Sequence, residues 1–193
     1  DPTTIDGLSF PATLRMSGTT QKLCGGGTRL KFNVVKVYAV GLYFDTTSSE
    51  SLKAFAGKAA PELAKSSSFY EALISGKFGK TLLLQFHRSV GASTMAEAMR
   101  DALAKKLDKP VLQKFNTALT QALGGASIGA GDKLFFGCKA EAMTIALGQP
   151  SSAAPVLKEK GVCKALFSVY YGNPPISPAA KEGAASAFAR LYA

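Results

Sequence analysis

The chain has no tryptophan, one histidine and three cysteines in 193 residues, and each scarcity removes a class of function. His87 stands alone, and Cys24, Cys138 and Cys163 lie far apart with no CxxC spacing. The paired His and Cys ligands of a structural zinc site are therefore missing, and no metal is expected. The cysteines read as three small buried thiols in a reducing compartment, with one disulfide among them as the alternative. Long hydrophobic runs are also lacking: nothing approaches the roughly 20 apolar residues of a membrane-spanning helix. Neither glycine cluster, GGG at 25–27 or GGASIGAG at 124–131, matches the GxxxxGK phosphate loop or opens a helix after a strand, so both read as turns and no nucleotide cofactor is expected. The triplet at 25–27 also lets the chain approach a ligand closely.

Acidic residues are few, 13 against 23 Lys and Arg, for a net charge of +10. That balance admits nucleic acid, an acidic membrane surface or an anionic ligand. The lysines are scattered, however. Their densest cluster, Lys105, Lys106 and Lys109, falls at a predicted helix end, where cations suit the macrodipole. No basic stripe alternates with aromatics, and no RNP, KH, zinc-finger or helix-turn-helix pattern is present, so nucleic acid is not an expected partner.

What is present is enough apolar sequence for a real core. Apolar residues make up 47% and charged residues 19%, which excludes disorder and suits one domain over 1–193. Periodicity predicts a strand pair or edge strand at 7–16, strands at 28–33 and 34–44, then helices at 48–57 and 61–74. A strand at 81–87 follows, with helices at 95–107 and 110–123 and a hairpin at 133–138 and 142–148. The tail reads as helices at 153–160, 162–170 and 178–191. Ser48 to Glu50, Ser93-Thr94 and Ser177 are the candidate N-caps, the last followed by proline. Strands and helices are partly segregated, which argues for an α+β fold: a mostly antiparallel sheet covered by a helical layer.

The stretch GGGTRLKFNVVKVYAVGLYFD at 25–45 raises the functional question. It sets Arg29 at the mouth of a long apolar run containing Lys36, Tyr38 and Tyr43. A guanidinium there is costly to bury unless an anion meets it. Tyr38 has a common alternative role, a half-buried sheet tyrosine bonding backbone. The odd separation of Arg29 and Tyr38 puts them on opposite faces of a continuous strand. Convergence requires a break, for which Asn33 is the candidate, or adjacent strands. His87 is conceivable as a general base, but no nucleophile accompanies it and a structural histidine is the simpler reading.

Residues 25–45 resemble the signature of the chalcone isomerase fold: a glycine turn, an arginine, a lysine-containing strand and a KVYAVGLY block. The stretch from Phe167 to Tyr192, with YYGNPPISPAAKEGAASAFARLY, resembles that family's ending, and the element order between them agrees. The resemblance implies an open-faced β-sandwich. The family includes isomerases that cyclise chalcone to flavanone, plastid fatty-acid-binding proteins and non-catalytic helpers. In both main kinds the arginine after the glycine turn points into the ligand cleft, and Arg29 occupies that position. The isomerases carry a threonine in the VYAVGLY block, where this chain has Tyr38, as in the fatty-acid binders. They also carry Tyr, Lys and Asn on the helix after the middle strand. Met95, Ala98 and Ala102 stand there in this chain, and the whole segment from Ser89 to Leu107 lacks Tyr and Asn.

The resemblance thus implies non-enzymatic binding of a long-chain fatty acid, with Arg29 and Tyr38 on the carboxylate and no catalytic residue. Composition supplies Met95, Met99, Leu84 and Phe86 as cleft lining, with Leu82, Phe135 and Phe136 as further candidates; ordinary core is the common role of each. The alternatives are a chalcone isomerase-type lyase, with Arg29 on an enolate oxygen, and a ligand-free helper. Analogy places the protein in the plastid stroma, with the bacterial periplasm as the alternative. The start at Asp1-Pro2 implies that a leader or tag has been removed.

Overall fold

The computed structural model describes residues 3–193. β1 (Thr3–Ile5) and β2 (Leu8–Phe10) form a two-stranded sheet. β3 (Thr13–Met16), β4 (Thr19–Lys31), β5 (Val35–Phe44), β6 (Lys80–Phe86), β7 (Lys133–Lys139) and β8 (Ala142–Leu147) pair in chain order as a six-stranded antiparallel sheet. Between β5 and β6 lie α1 (Glu50–Lys53), α2 (Ala60–Ala64) and α3 (Ser67–Ser75). α4 (Ala92–Leu103) and α5 (Lys109–Leu123) separate β6 from β7, and α6 (Val162–Tyr171) and α7 (Pro178–Leu191) end the chain. This is the α+β arrangement expected.

The apolar run of β5 is apolar on both faces because both are covered. Tyr38, Val40, Leu42 and Phe44 point into the larger core, with Leu82, Leu84 and Phe86 of β6 and the helices. Ala39 and Tyr43 point the other way, into a smaller core with Phe10, Leu14, Met16, Leu83 and Phe135. Side chains of a strand alternate, so one sequence run feeds two cores.

The glycine triplet is not a turn. β4 runs through it, with a register shift between Leu23 and Gly26 that Gly25, at φ +72°, absorbs. The close approach there is made by α7 rather than by a ligand. A Cβ on Gly27 would sit 2.4 Å from the backbone carbon of Ala179, and one on Gly183 would sit 2.1 Å from the carbonyl oxygen of Gly26. Helix and strand pack backbone to backbone, so no larger residue fits.

Several boundaries move. No helix forms at 153–160: Pro155 lacks an amide hydrogen, and Leu157 forms a bridge to Met143 instead. The helix expected at 61–74 is two, because Ser66 interrupts it and caps α3 by accepting from the Phe69 amide at 3.2 Å. α1 is a single turn and Ser49 does not cap it. α4 begins at Ala92, ahead of Ser93 and Thr94, without a side-chain cap. Ser177 does cap α7, accepting from the Ala180 amide at 3.2 Å with Pro178 next in the chain.

The cysteines also depart from the three-thiol reading. Cys138 of β7 and Cys163 of α6 are joined in a disulfide, with Cα atoms 6.1 Å apart. Cys24 is free and buried, and burial pushes its thiol up to about 12. Residues 25 apart in sequence meet here because α6 packs against the sheet, a contact no local pattern encodes.

Candidate functional site

The site is built by the β4–β5 hairpin. Its turn spans Lys31 to Val34, closed by the Val34 amide donating to the Lys31 carbonyl at 3.3 Å. Phe32 and Asn33 both have positive φ, 53° and 59°, the backbone of a type I′ hairpin turn. A second register shift lies between Arg29 and Leu30: Arg29 pairs with Tyr38, and Leu30 with Lys36. Val37 is thus the extra residue of a bulge. The bulge puts Val35, Val37 and Tyr38 on the cleft side and turns Lys36 away, where it donates to Asp6 at 2.8 Å. Arg29 and Tyr38 are therefore cross-strand neighbours on one face. The Arg29 guanidinium carbon lies 5.8 Å from the Tyr38 ring centroid, a cation–π distance.

Arg29 and Tyr38 line an open cleft of about 720 Å³ between this hairpin and α4, within the range of small-molecule sites. Its apolar wall comes from Val35, Val37, Met95, Ala98, Met99 and Ile176, and its mouth carries Lys31, Arg88 and Asp101. Among the described residues Arg29 forms no ion pair. Its Nε is buried and has no hydrogen-bond partner. A partly buried guanidinium without an internal anion is an incomplete arrangement, one that an acceptor oxygen entering the cleft would complete.

Behind Arg29 the Tyr38 hydroxyl meets the Tyr170 hydroxyl at 2.8 Å. Burial, opposed by the positive charge of Arg29, raises the Tyr38 phenol above its ordinary range. Burial and the neighbouring Tyr38 raise Tyr170 further. Both phenols stay protonated at neutral pH. When Tyr170 donates to Tyr38, the hydrogen of Tyr38, the one of the two that lines the cleft, is free for an acceptor there. The pair is a donor, suited to an anionic or carbonyl oxygen.

Of the residues singled out from sequence, Arg29, Tyr38, Met95 and Met99 meet in the cleft. Leu84 and Phe86 do not line it. They are fully buried on β6, and Phe86 supports Tyr38 from below with ring centroids 5.4 Å apart. Leu82 and Phe136 belong to the same core, and Phe135 faces the opposite one. His87 lies outside the cleft lining, its Nε2 3.5 Å from Asp6 Oδ2. Sequence reasoning gave no role to Tyr170, Lys31 or Arg88. The YYG segment was visible as part of the family-like ending, but its contact with β5 is tertiary.

Comparison with known proteins adds the following. The family model described as chalcone-flavanone isomerase matches residues 5–191. A protein named chalcone–flavanone isomerase from Gentiana triflora is 27% identical, the alignment covering 97% of this chain and 91% of that protein. A protein of the same name from Oryza sativa subsp. japonica is 28% identical over 97% of this chain and 88% of the relative. Among solved structures, a fatty-acid binding protein of Arabidopsis thaliana superposes with a TM-score of 0.79 at 20% identity, covering 100% of this chain and 99% of that one. With the match running through nearly every element described above, the chain belongs to the chalcone-flavanone isomerase family.

Proposed function

We propose that this protein binds a long-chain fatty acid without catalysing its conversion. The observation that carries the reading is the Arg29 guanidinium, partly buried and without an internal anion, facing a cleft of about 720 Å³ with an apolar wall. A carboxylate meets it through two parallel charge-assisted hydrogen bonds, and the Tyr38–Tyr170 pair supplies a further donor. The acyl chain lies along Val37, Met95, Met99 and Ile176. Each buried methylene contributes about 0.8 kcal/mol, so the chain supplies most of the affinity and Arg29 mainly fixes the orientation. The fold shared with a fatty-acid binding protein supports this reading. So does the content of α4, which lines the cleft wall with Met95, Ala98 and Met99 and sets its acid, Asp101, at the mouth. The test is displacement of a fluorescent fatty acid from purified protein, together with mass spectrometry of copurifying lipids. Saturable binding of long-chain acids supports the reading; no binding overturns it.

A second reading rests on the relatives named as isomerases. Arg29 and the phenol pair are donors of the kind that stabilise a developing enolate oxygen. An absorbance assay with chalcone decides between the two: turnover above the uncatalysed rate favours the isomerase. As for location, the Cys138–Cys163 disulfide suits an oxidising compartment and so supports the periplasm over the plastid stroma.

A further inference from the structure

The tip of the β4–β5 hairpin carries large apolar side chains that nothing among the described residues covers. Phe32 is 81% exposed, Val34 76% and Leu30 42%. These three account for half of the six large hydrophobic residues exposed among the described residues, and they fall within five consecutive positions. The backbone makes this costlier still. Phe32 sits at φ 53° and Asn33 at φ 59°, a turn that favours glycine or asparagine and penalises a bulky side chain. An aromatic held in a left-handed conformation and pointed at solvent loses on both counts, which directs attention to something outside the chain.

Charge identifies the occupant. The tip is flanked by Lys31 and Arg88 at the cleft mouth, with Arg29 just inside. Among the described residues, Asp101 is the one acid in that lining. The Lys36 charge is met by Asp6 at 2.8 Å and is not available. The molecule as a whole carries +10. A short apolar protrusion ringed by cations matches the boundary of an anionic bilayer, where aromatic and aliphatic groups enter the headgroup layer and Lys and Arg meet lipid charge.

We propose that the β4–β5 hairpin tip docks on an anionic lipid bilayer surface, with Phe32 and Val34 entering the headgroup–acyl boundary and Lys31 and Arg88 meeting anionic headgroups. Docked this way, the cleft mouth faces the membrane, because Lys31, Phe32 and Val35 belong to both surfaces. The proposal does not depend on what the cleft holds. No helix among the described residues is long and apolar enough to cross a membrane.

The experiment is co-sedimentation with vesicles of phosphatidylcholine alone or mixed with phosphatidylserine, using protein and lipids free of fatty acid. Wild-type protein is expected to bind the anionic vesicles, and more weakly as salt rises. The double variant Phe32→Gly/Val34→Ser should bind at least about tenfold more weakly, from the apolar area lost. Glycine suits the left-handed turn, so this variant keeps its fold, and an unchanged melting temperature confirms that. Unchanged vesicle binding by the variant overturns the proposal, since it would leave only diffuse attraction of a basic protein. Absence of binding by wild-type protein overturns it too. So does a wild-type dimer, seen by light scattering, that the variant abolishes, because the tip would then serve a second copy of the chain.

Discussion

Replacing Arg29 by methionine should move ligand binding and stability in different directions, and the two sizes follow from the site. In the unliganded protein the Arg29 Nε is buried without a partner, and such a group costs about 1–3 kcal/mol. The rest of the guanidinium reaches the open cleft and stays hydrated, so the lower end applies. Methionine of similar length removes that cost but gives up the contact with the Tyr38 ring at 5.8 Å, worth about 0.5–1 kcal/mol. The balance is near zero to slightly stabilising. For a chain of this length each kcal/mol shifts the melting temperature by about 2–4 °C, so the unliganded variant should melt at the wild-type temperature or up to a few degrees higher. Fatty-acid binding should weaken by about 1.5–3 kcal/mol, the worth of a hydrogen bond to a charged group, which is roughly 10- to 150-fold in Kd. Arg29→Lys keeps the charge without the fork and should fall between. Differential scanning fluorimetry and fluorescent-ligand titration read the two quantities. A fall of several degrees with binding unchanged would refute the reasoning, because it would make Arg29 a structural residue paired with the fold rather than with a ligand.

Three further outcomes are expected. Gly27→Ala sets a Cβ 2.4 Å from the Ala179 backbone, so α7 must lift from β4 and stability should fall by about 1–3 kcal/mol or more in urea titration. Reducing the Cys138–Cys163 disulfide, which closes a loop of 25 residues, should cost about 3.5 kcal/mol on the chain-entropy account, read as a lower urea midpoint with reductant. Lys80 is buried and donates to the Leu73 and Ile74 carbonyls at 2.8 and 2.6 Å. Burial, opposed by Glu71, lowers it from 10.5 to about 7. Between those values the unfolded chain holds the proton and the folded one does not, so this group makes stability rise with pH, by at most about 1.4 kcal/mol per pH unit. The rise should be absent from Lys80→Met when urea midpoints are compared across that range.

The elements legible in the sequence are those with a local cause. β5 and β6 follow from their apolar runs, α5 from its periodicity and the glycine that ends it, and α7 from Ser177-Pro178. The elements that went astray have tertiary causes. The helix expected over 153–160 lost to a bridge with Met143, and the glycine triplet is strand because α7 must lie directly upon it. Leu84 and Phe86 have the composition of a ligand pocket but the burial of a core, a distinction that rests on which layer lies outermost and not on residue type.

The sequence by itself determined the α+β class, the prominence of Arg29 and the candidacy of Tyr38, because each rests on residue chemistry and strand periodicity that local order carries. Only the tertiary structure decided that Arg29 and Tyr38 face one another. That pairing needs both a turn at Phe32-Asn33 and a bulge at Val37, and a one-residue shift in register turns a side chain to the opposite face of a sheet. The same holds for Tyr170 behind Tyr38 and for Cys163 on Cys138: each partner arrives from α6, and its position is set by the packing of a helix layer on a sheet.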